Sequence, residues 1–145
     1  MSSPRKRKAG DQAREAALQM IYAMDQGDQN AQQVQQWFRD AHPMEEPDWR
    51  RAAELLAFVS EHRAKIEDLV RKHAIGWRLE RISQVERGIL ILASAELLGG
   101  PPTAAASQEA VQGMLRLAKR FSPPEARNFL RAIVEAIVRD LASPH

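Results

Sequence analysis

Four histidines, His42, His62, His73 and His145, are the first side chains to test for catalysis or metal ligation. They stand too far apart for a local ligand motif such as HExxH, and no clustered acids accompany them, so they read as surface or helix-end residues. Glu67 and Asp68 adjoin as a nominal acid and base. Neighbours on a helix point about 100° apart and do not face each other, so this pair reads as a solvated face. There is no Gly-rich phosphate loop and no GxSxG elbow. The chain has no cysteine, which excludes disulfides, thiolate metal sites and a cysteine nucleophile. An enzyme is not expected, and no metal or cofactor is implied. What remains is charge: "RKRK", Arg5 to Lys8, sits beside a lone acid at Asp11 and a further Arg14. A basic arm of this kind is the electrostatic footprint of a polyanion partner, because each phosphate neutralised releases counterions. The same run also reads as a solvated terminus that aids solubility, and by itself it does not decide between the two.

The elements that must position these groups are helices. At 145 residues the chain is one domain by length, able to bury a core without staples, and its 44% hydrophobic and 28% charged residues are ordinary for a globular protein. The charged N-terminus is not followed by an apolar h-region, and no apolar run approaches the roughly 18 residues of a membrane span. A cytoplasmic, non-membrane protein is expected. Apolar residues recur at helical spacing and almost nowhere alternate, so the fold class is all-α, a single-domain bundle of about seven helices. Residues 1–9 read as a flexible basic arm and 10–145 as the helical domain.

Asp11 is placed as the cap of a first helix carrying Ala13, Ala16, Ala17, Met20, Ile21 and Met24 and stopped by Gly27. Asn30 and Gln33 form a capping pair for a second, with Val34, Trp37, Phe38 and Ala41 on one face. Pro47 opens a long region, broken between Ser60 and Arg63, with Ala52, Leu55, Leu56, Val59, Ile66, Leu69 and Val70 inward. Ser83 and Glu86 form a capping box for a helix to Leu98 that buries Ile89 and Leu92 and ends on a left-handed cap within "GGPP". Ser107 to Phe121 forms another helix, weakened at Gly113. "SPPE" provides a second box, Ser122 capping and Glu125 at the third position, before a helix burying Phe129, Ile133, Ile137 and Leu141. Trp77 is expected in the core.

"WRLERISQVERGILILASAELL" resembles the most characteristic block of the NusB family of transcription antitermination factors, and "AREAALQMIYAMD", Ala13 to Asp25, resembles that family's first helix. "QEA", "LAKRF" and the Phe-containing last helix extend the likeness over roughly the whole chain in the same order. The resemblance implies an all-helical, non-catalytic protein that binds the boxA element of nascent ribosomal RNA precursors. It implies a heterodimer with the small-subunit ribosomal protein NusE and a place in the RNA polymerase antitermination complex. Arg5, Lys6, Arg7, Lys8 and Arg14 match the family's arginine-rich RNA-binding motif. Tyr22 matches a tyrosine at the junction of RNA and NusE, where a ring stacks on a base splayed from single-stranded RNA or, alternatively, half-buries in the core. Glu86 aligns with an acid presented to NusE while also serving its capping box. Lys119, Arg120 and Arg127 lie near the family's second RNA-contacting region.

The chain departs from the pattern in its last helix. Where the family commonly reads "KFVNGVLD", this chain reads "NFLRAIVE", with Arg131 and Ala132 in place of the Asn-Gly pair. The helix before it admits two registers, one keeping "QEA" and the other keeping the spacing to "LAKRF". An alternative is therefore a diverged protein-interaction or homodimer module with weak or no RNA binding. A third, the NusB-like domain in front of some ribosomal RNA cytosine methyltransferases, needs a cofactor-binding domain and a cysteine nucleophile that this chain lacks.

Overall fold

At the centre of the molecule lies a helix that is apolar all the way round. It is α5, Gln84–Gly99, which buries every residue from Gly88 to Ala95, and a helix without a polar face has to be enclosed by others. The computed structural model describes residues 8–27, 29–76 and 81–143. Around α5 stand α1 (Asp11–Gln26), α3 (Glu46–Glu61), α4 (Arg63–His73), α6 (Ala104–Phe121) and α7 (Pro124–Ala142), all in contact with it, while α2 (Ala31–Ala41) covers α1 and α3. Among the described residues all regular structure is helical, seven helices as the apolar spacing predicts. The one polar side chain in the buried stretch of α5, Ser94, is satisfied locally: its Oγ donates to the Leu90 carbonyl at 2.7 Å.

The starts of the helices follow from their caps. Asn30 Oδ1 accepts from the Gln33 amide and Gln33 Oε1 from the Asn30 amide, both at 2.9 Å. Ser83 Oγ accepts from the Glu86 amide and Glu86 Oε1 from the Ser83 amide, both at 3.1 Å. Each box satisfies two amides that a helix start leaves bare. The break in the long region falls at His62, which ends α3 and begins α4. Charged pairs then tie α4 at both ends: Arg63 reaches Asp25 of α1 at 3.0 Å, and Lys72 and His73 reach Asp140 of α7 at 3.1 and 2.7 Å.

Several expected details are corrected. Gly10, at φ +86°, caps α1, and Asp11 is the first helical residue with no cap bond of its own. The helix α5 runs through Gly99 to an extended Gly100, so "GGPP" stops it by proline rather than by a left-handed residue. The helix α6 begins at Ala104, capped by Thr103, whose Oγ1 accepts from the Ala106 amide at 3.1 Å. Ser122 closes α6 instead of capping α7, and its buried Oγ has no partner among the described residues. Pro124 holds Pro123 extended, which delays α7 by one residue and moves Glu125 out of capping position. Ile89, Leu92, Ile133 and Ile137 are buried, Phe129 is half-buried, Leu141 and Trp37 are exposed, and Trp77 lies outside the described residues.

Candidate nucleic-acid interface

The N-terminal half of α1 is held against α5 and α6 by a charged cluster with Arg14 at its centre. Arg14 is 5% exposed. Its Nε and Nη2 donate to the two carboxylate oxygens of Glu96 on α5 at 3.0 and 2.5 Å, its Nη1 donates to Asp11 at 3.2 Å, and Glu109 of α6 lies 3.5 Å away. Burial opposes the charge, but the bidentate bond to Glu96 and the attraction of Glu96, Glu109 and Asp11 outweigh it and raise the guanidinium above its ordinary value. A Cβ at Gly113 would overlap this guanidinium, so the glycine expected to weaken α6 is what lets α6 approach. Of the cations matched to the RNA-binding motif, Arg14 is thus withdrawn from solvent by its partners. Arg14, matched to an RNA contact by the resemblance, stands instead as a buried charge among carboxylates of α1, α5 and α6.

The other cations of the motif lie ahead of it. Arg5, Lys6 and Arg7 fall outside the described residues. Lys8 is exposed directly before α1, its carbonyl accepting from the Asp11 amide at 3.1 Å.

From that point a strip runs along α1 and α6. Arg116 Nε pairs with Asp11 at 2.9 Å and Arg120 Nε with Glu15 at 2.7 Å. The two pairs step by four residues on each helix, so α1 and α6 run in the same sense and present their exposed edges together. Arg120 is exposed on this edge, with its guanidinium 5.8 Å from the centre of the Phe121 ring, and Lys119 beside it in the chain is exposed too. Arg127 is less available: its Nη2 donates to the Lys119 carbonyl at 3.3 Å across the α6–α7 turn, and its Nε is buried without a partner among the described residues.

The strip ends in an aromatic groove of about 320 Å³ between α1 and α2. Tyr22, 42% exposed, lines it from α1, Trp37 and His42 from the α2 side, and Phe121 from the end of α6. Val85, next to Glu86, forms part of the floor. Glu86 itself is 7% exposed, with Oε1 engaged by the Ser83 amide. Tyr22 therefore takes the exposed of its two expected placements. The structure brings Tyr22 and Phe121 into one groove with Arg120 beside it, while Glu86, next to the lining residue Val85, is buried.

Trp37, Phe121 and Arg116 were not singled out by the sequence. Trp37 sits at a core spacing from Val34, and only the neighbouring Phe38, which takes the inward direction at 4% exposure, signals that Trp37 must turn outward. The histidines do other work: His42 stacks on Phe38 and His62 packs tilted against Phe58, each with ring centres 4.3 Å apart, and His73 meets Asp140. His145 lies outside the described residues. At the altered last helix, Arg131 pairs with Glu135 at 2.9 Å.

The chain is thus an all-α bundle closed around one apolar helix, with an ion-paired and aromatic strip along α1 and α6, and comparison with known proteins assigns the class. Residues 11–139 match the NusB family, and the chain belongs to it. A transcription antitermination protein NusB of Koribacter versatilis is 38% identical over 130 residues, covering 89% of this chain and 88% of that protein. Another of Sorangium cellulosum is 35% identical over 130 residues, covering 88% and 90%. Among solved structures, one of the antitermination factors NusB and NusE in complex with double-stranded RNA superposes with a TM-score of 0.79 at 21% identity, covering 90% of this chain and 96% of that one. At that identity the likeness speaks for the fold alone.

Proposed function

We propose that the protein is an antitermination factor that binds boxA-type single-stranded RNA of ribosomal RNA precursor transcripts together with the ribosomal protein NusE. One observation carries the reading beyond family membership: Arg120, paired with Glu15 of α1, stands beside Phe121, which lines one groove with the exposed Tyr22. Cations tracking a backbone and rings on which bases stack are the two parts a single-strand binder needs. Arg5, Lys6, Arg7 and Lys8 supply the sequence-independent attraction, Lys119 and Arg120 continue the phosphate path, and Tyr22 stacks. Arg127 acts through the α6–α7 turn that it clasps. Glu86 and Tyr22 face NusE at the junction.

The test is fluorescence anisotropy of purified protein on a short boxA-like RNA, with and without NusE. Binding that tightens on adding NusE supports the reading. A protein that binds neither RNA nor NusE and sediments as a dimer is instead a homodimer module of this family.

A further inference from the structure

Trp37 is a large ring that the fold leaves outside. It is 41% exposed on α2, yet its indole is fixed, because Nε1 donates to Gln29 Oε1 at 3.1 Å. It lines the groove of about 320 Å³ opposite Tyr22, while Phe121 closes the end nearest Arg120. The groove is small. Its volume suits a flat ring system, and Gln19 and His42 are among its lining residues.

We propose that this groove is a base-binding subsite, in which one nucleobase of a single-stranded RNA leaves the stack and lies on the indole of Trp37, with Tyr22 lining the other side. The inference deepens the RNA-binding reading above and rests on it. Three observations select a base over an apolar side chain of a protein partner. The mouth is flanked by cations, Arg120 beside Phe121 and Lys119 next to it, where the phosphates on either side of the base would run. Gln19 and His42 are among the residues that line the groove, so side chains able to hydrogen-bond a base edge stand beside its rings. The ion-paired edge of α1 and α6, Asp11 with Arg116 and Glu15 with Arg120, spans about 6 Å at the 1.5 Å rise per helical residue and leads toward the groove at Tyr22. A ring already held by Gln29 loses little freedom when a base stacks on it.

The experiment uses the full chain and a short single-stranded boxA-like RNA, with Trp37→Ala and Trp37→Phe. Trp37→Ala is expected to weaken binding about 5- to 100-fold with the slope of affinity against salt unchanged, because stacking releases no counterions. Trp37→Phe keeps most of the affinity but loses the tryptophan quenching that RNA produces in the parent. Trp49 is buried, and Trp77 is common to parent and variant. Circular dichroism checks that both variants fold, and the quenching measured in Trp37→Phe stands without the alanine variant. If Trp37→Ala binds as the parent does, or if Trp37→Phe is quenched as strongly as the parent, the subsite is overturned while RNA binding stands. Loss of NusE binding alone in Trp37→Ala overturns it in favour of a protein side chain in the groove. A parent chain that binds no RNA at any salt overturns both readings.

Discussion

The guanidinium of Arg14 on α1 occupies the space that a side chain at Gly113 on α6 would need. The two positions lie far apart in the chain, and their fit lets one buried cation serve carboxylates from three helices, Asp11, Glu96 and Glu109. Glycine inside a helix costs about 1 kcal/mol against alanine, so on propensity alone Gly113→Ala would stabilise the protein. The contact reverses the sign. A methyl group there either shifts α6 or expels Arg14 from its partners, and overpacking of this kind costs about 1–3 kcal/mol. We predict that Gly113→Ala lowers the melting temperature by several degrees. We also predict that Arg14→Ala, which strands Glu96, costs about 3–5 kcal/mol as the breaking of a buried pair. The double variant should lose less than the two losses added, since both act on one cluster. A raised melting temperature for Gly113→Ala would show that propensity wins and that the cluster yields.

The capping box of α5 separates two roles for Glu86. Glutamine can replace glutamate in such a box, whereas alanine cannot. Glu86→Ala should cost about 1 kcal/mol of stability, while Glu86→Gln should melt close to the parent. If the carboxylate charge also meets NusE, Glu86→Gln weakens that complex without touching stability. Calorimetry that finds unchanged NusE affinity for the glutamine variant assigns the residue to the cap alone.

Asp140 ties α7 to the end of α4 through His73 and Lys72 at 2.7 and 3.1 Å. The hydrogen bond with His73, then that with Lys72, holds its carboxyl below the ordinary 3.8. A folded-state pKa below the unfolded one means stability that is fully present above pH 3.8 and lost as pH falls through the folded value. We predict that Asp140→Asn is less stable than the parent at neutral pH and that the difference closes on acidification below 3.8. Melting curves across that range check it, and a difference that stays constant on acidification would mean that the pairing contributes nothing.

What the sequence made legible was local. Two capping boxes, the His62 break and most of the apolar spacing can be read from residues within a few positions of one another and reappear in the fold, Trp37 and Leu141 being the exposed exceptions. Misplaced ends have local causes too, but competing ones: the alanines at 104–106 extend α6 upstream to Thr103, and Pro124 overrides the Ser122 box. The fate of Arg14 could not be read. An arginine next to a basic arm looks like surface charge, and its main partner Glu96 is 82 positions away. For the same reason the aromatic groove was hidden, since Tyr22, Trp37 and Phe121 come from three helices and meet only once α1, α2 and α6 are packed.

The last prediction separates charge from stacking at the proposed RNA surface. Deleting Met1 to Ala9 removes Arg5, Lys6, Arg7 and Lys8 but leaves Gly10, Asp11 and the Arg14 cluster, so α1 should remain capped and folded. If most of these cations sit on phosphates, the slope of log K against log salt flattens by about 0.7 per contact, hence by roughly two to three for single-stranded RNA. Tyr22→Ala behaves differently. Its ring is 42% exposed, so truncation leaves the core intact, and it should weaken binding by roughly 1–3 kcal/mol with nearly the parent slope. Anisotropy across a salt series reads both quantities from one set of titrations. Equal binding by the truncated and full chains at every salt concentration would reduce the arm to a solvated tail and leave Lys119, Arg120 and the groove to account for any affinity that remains.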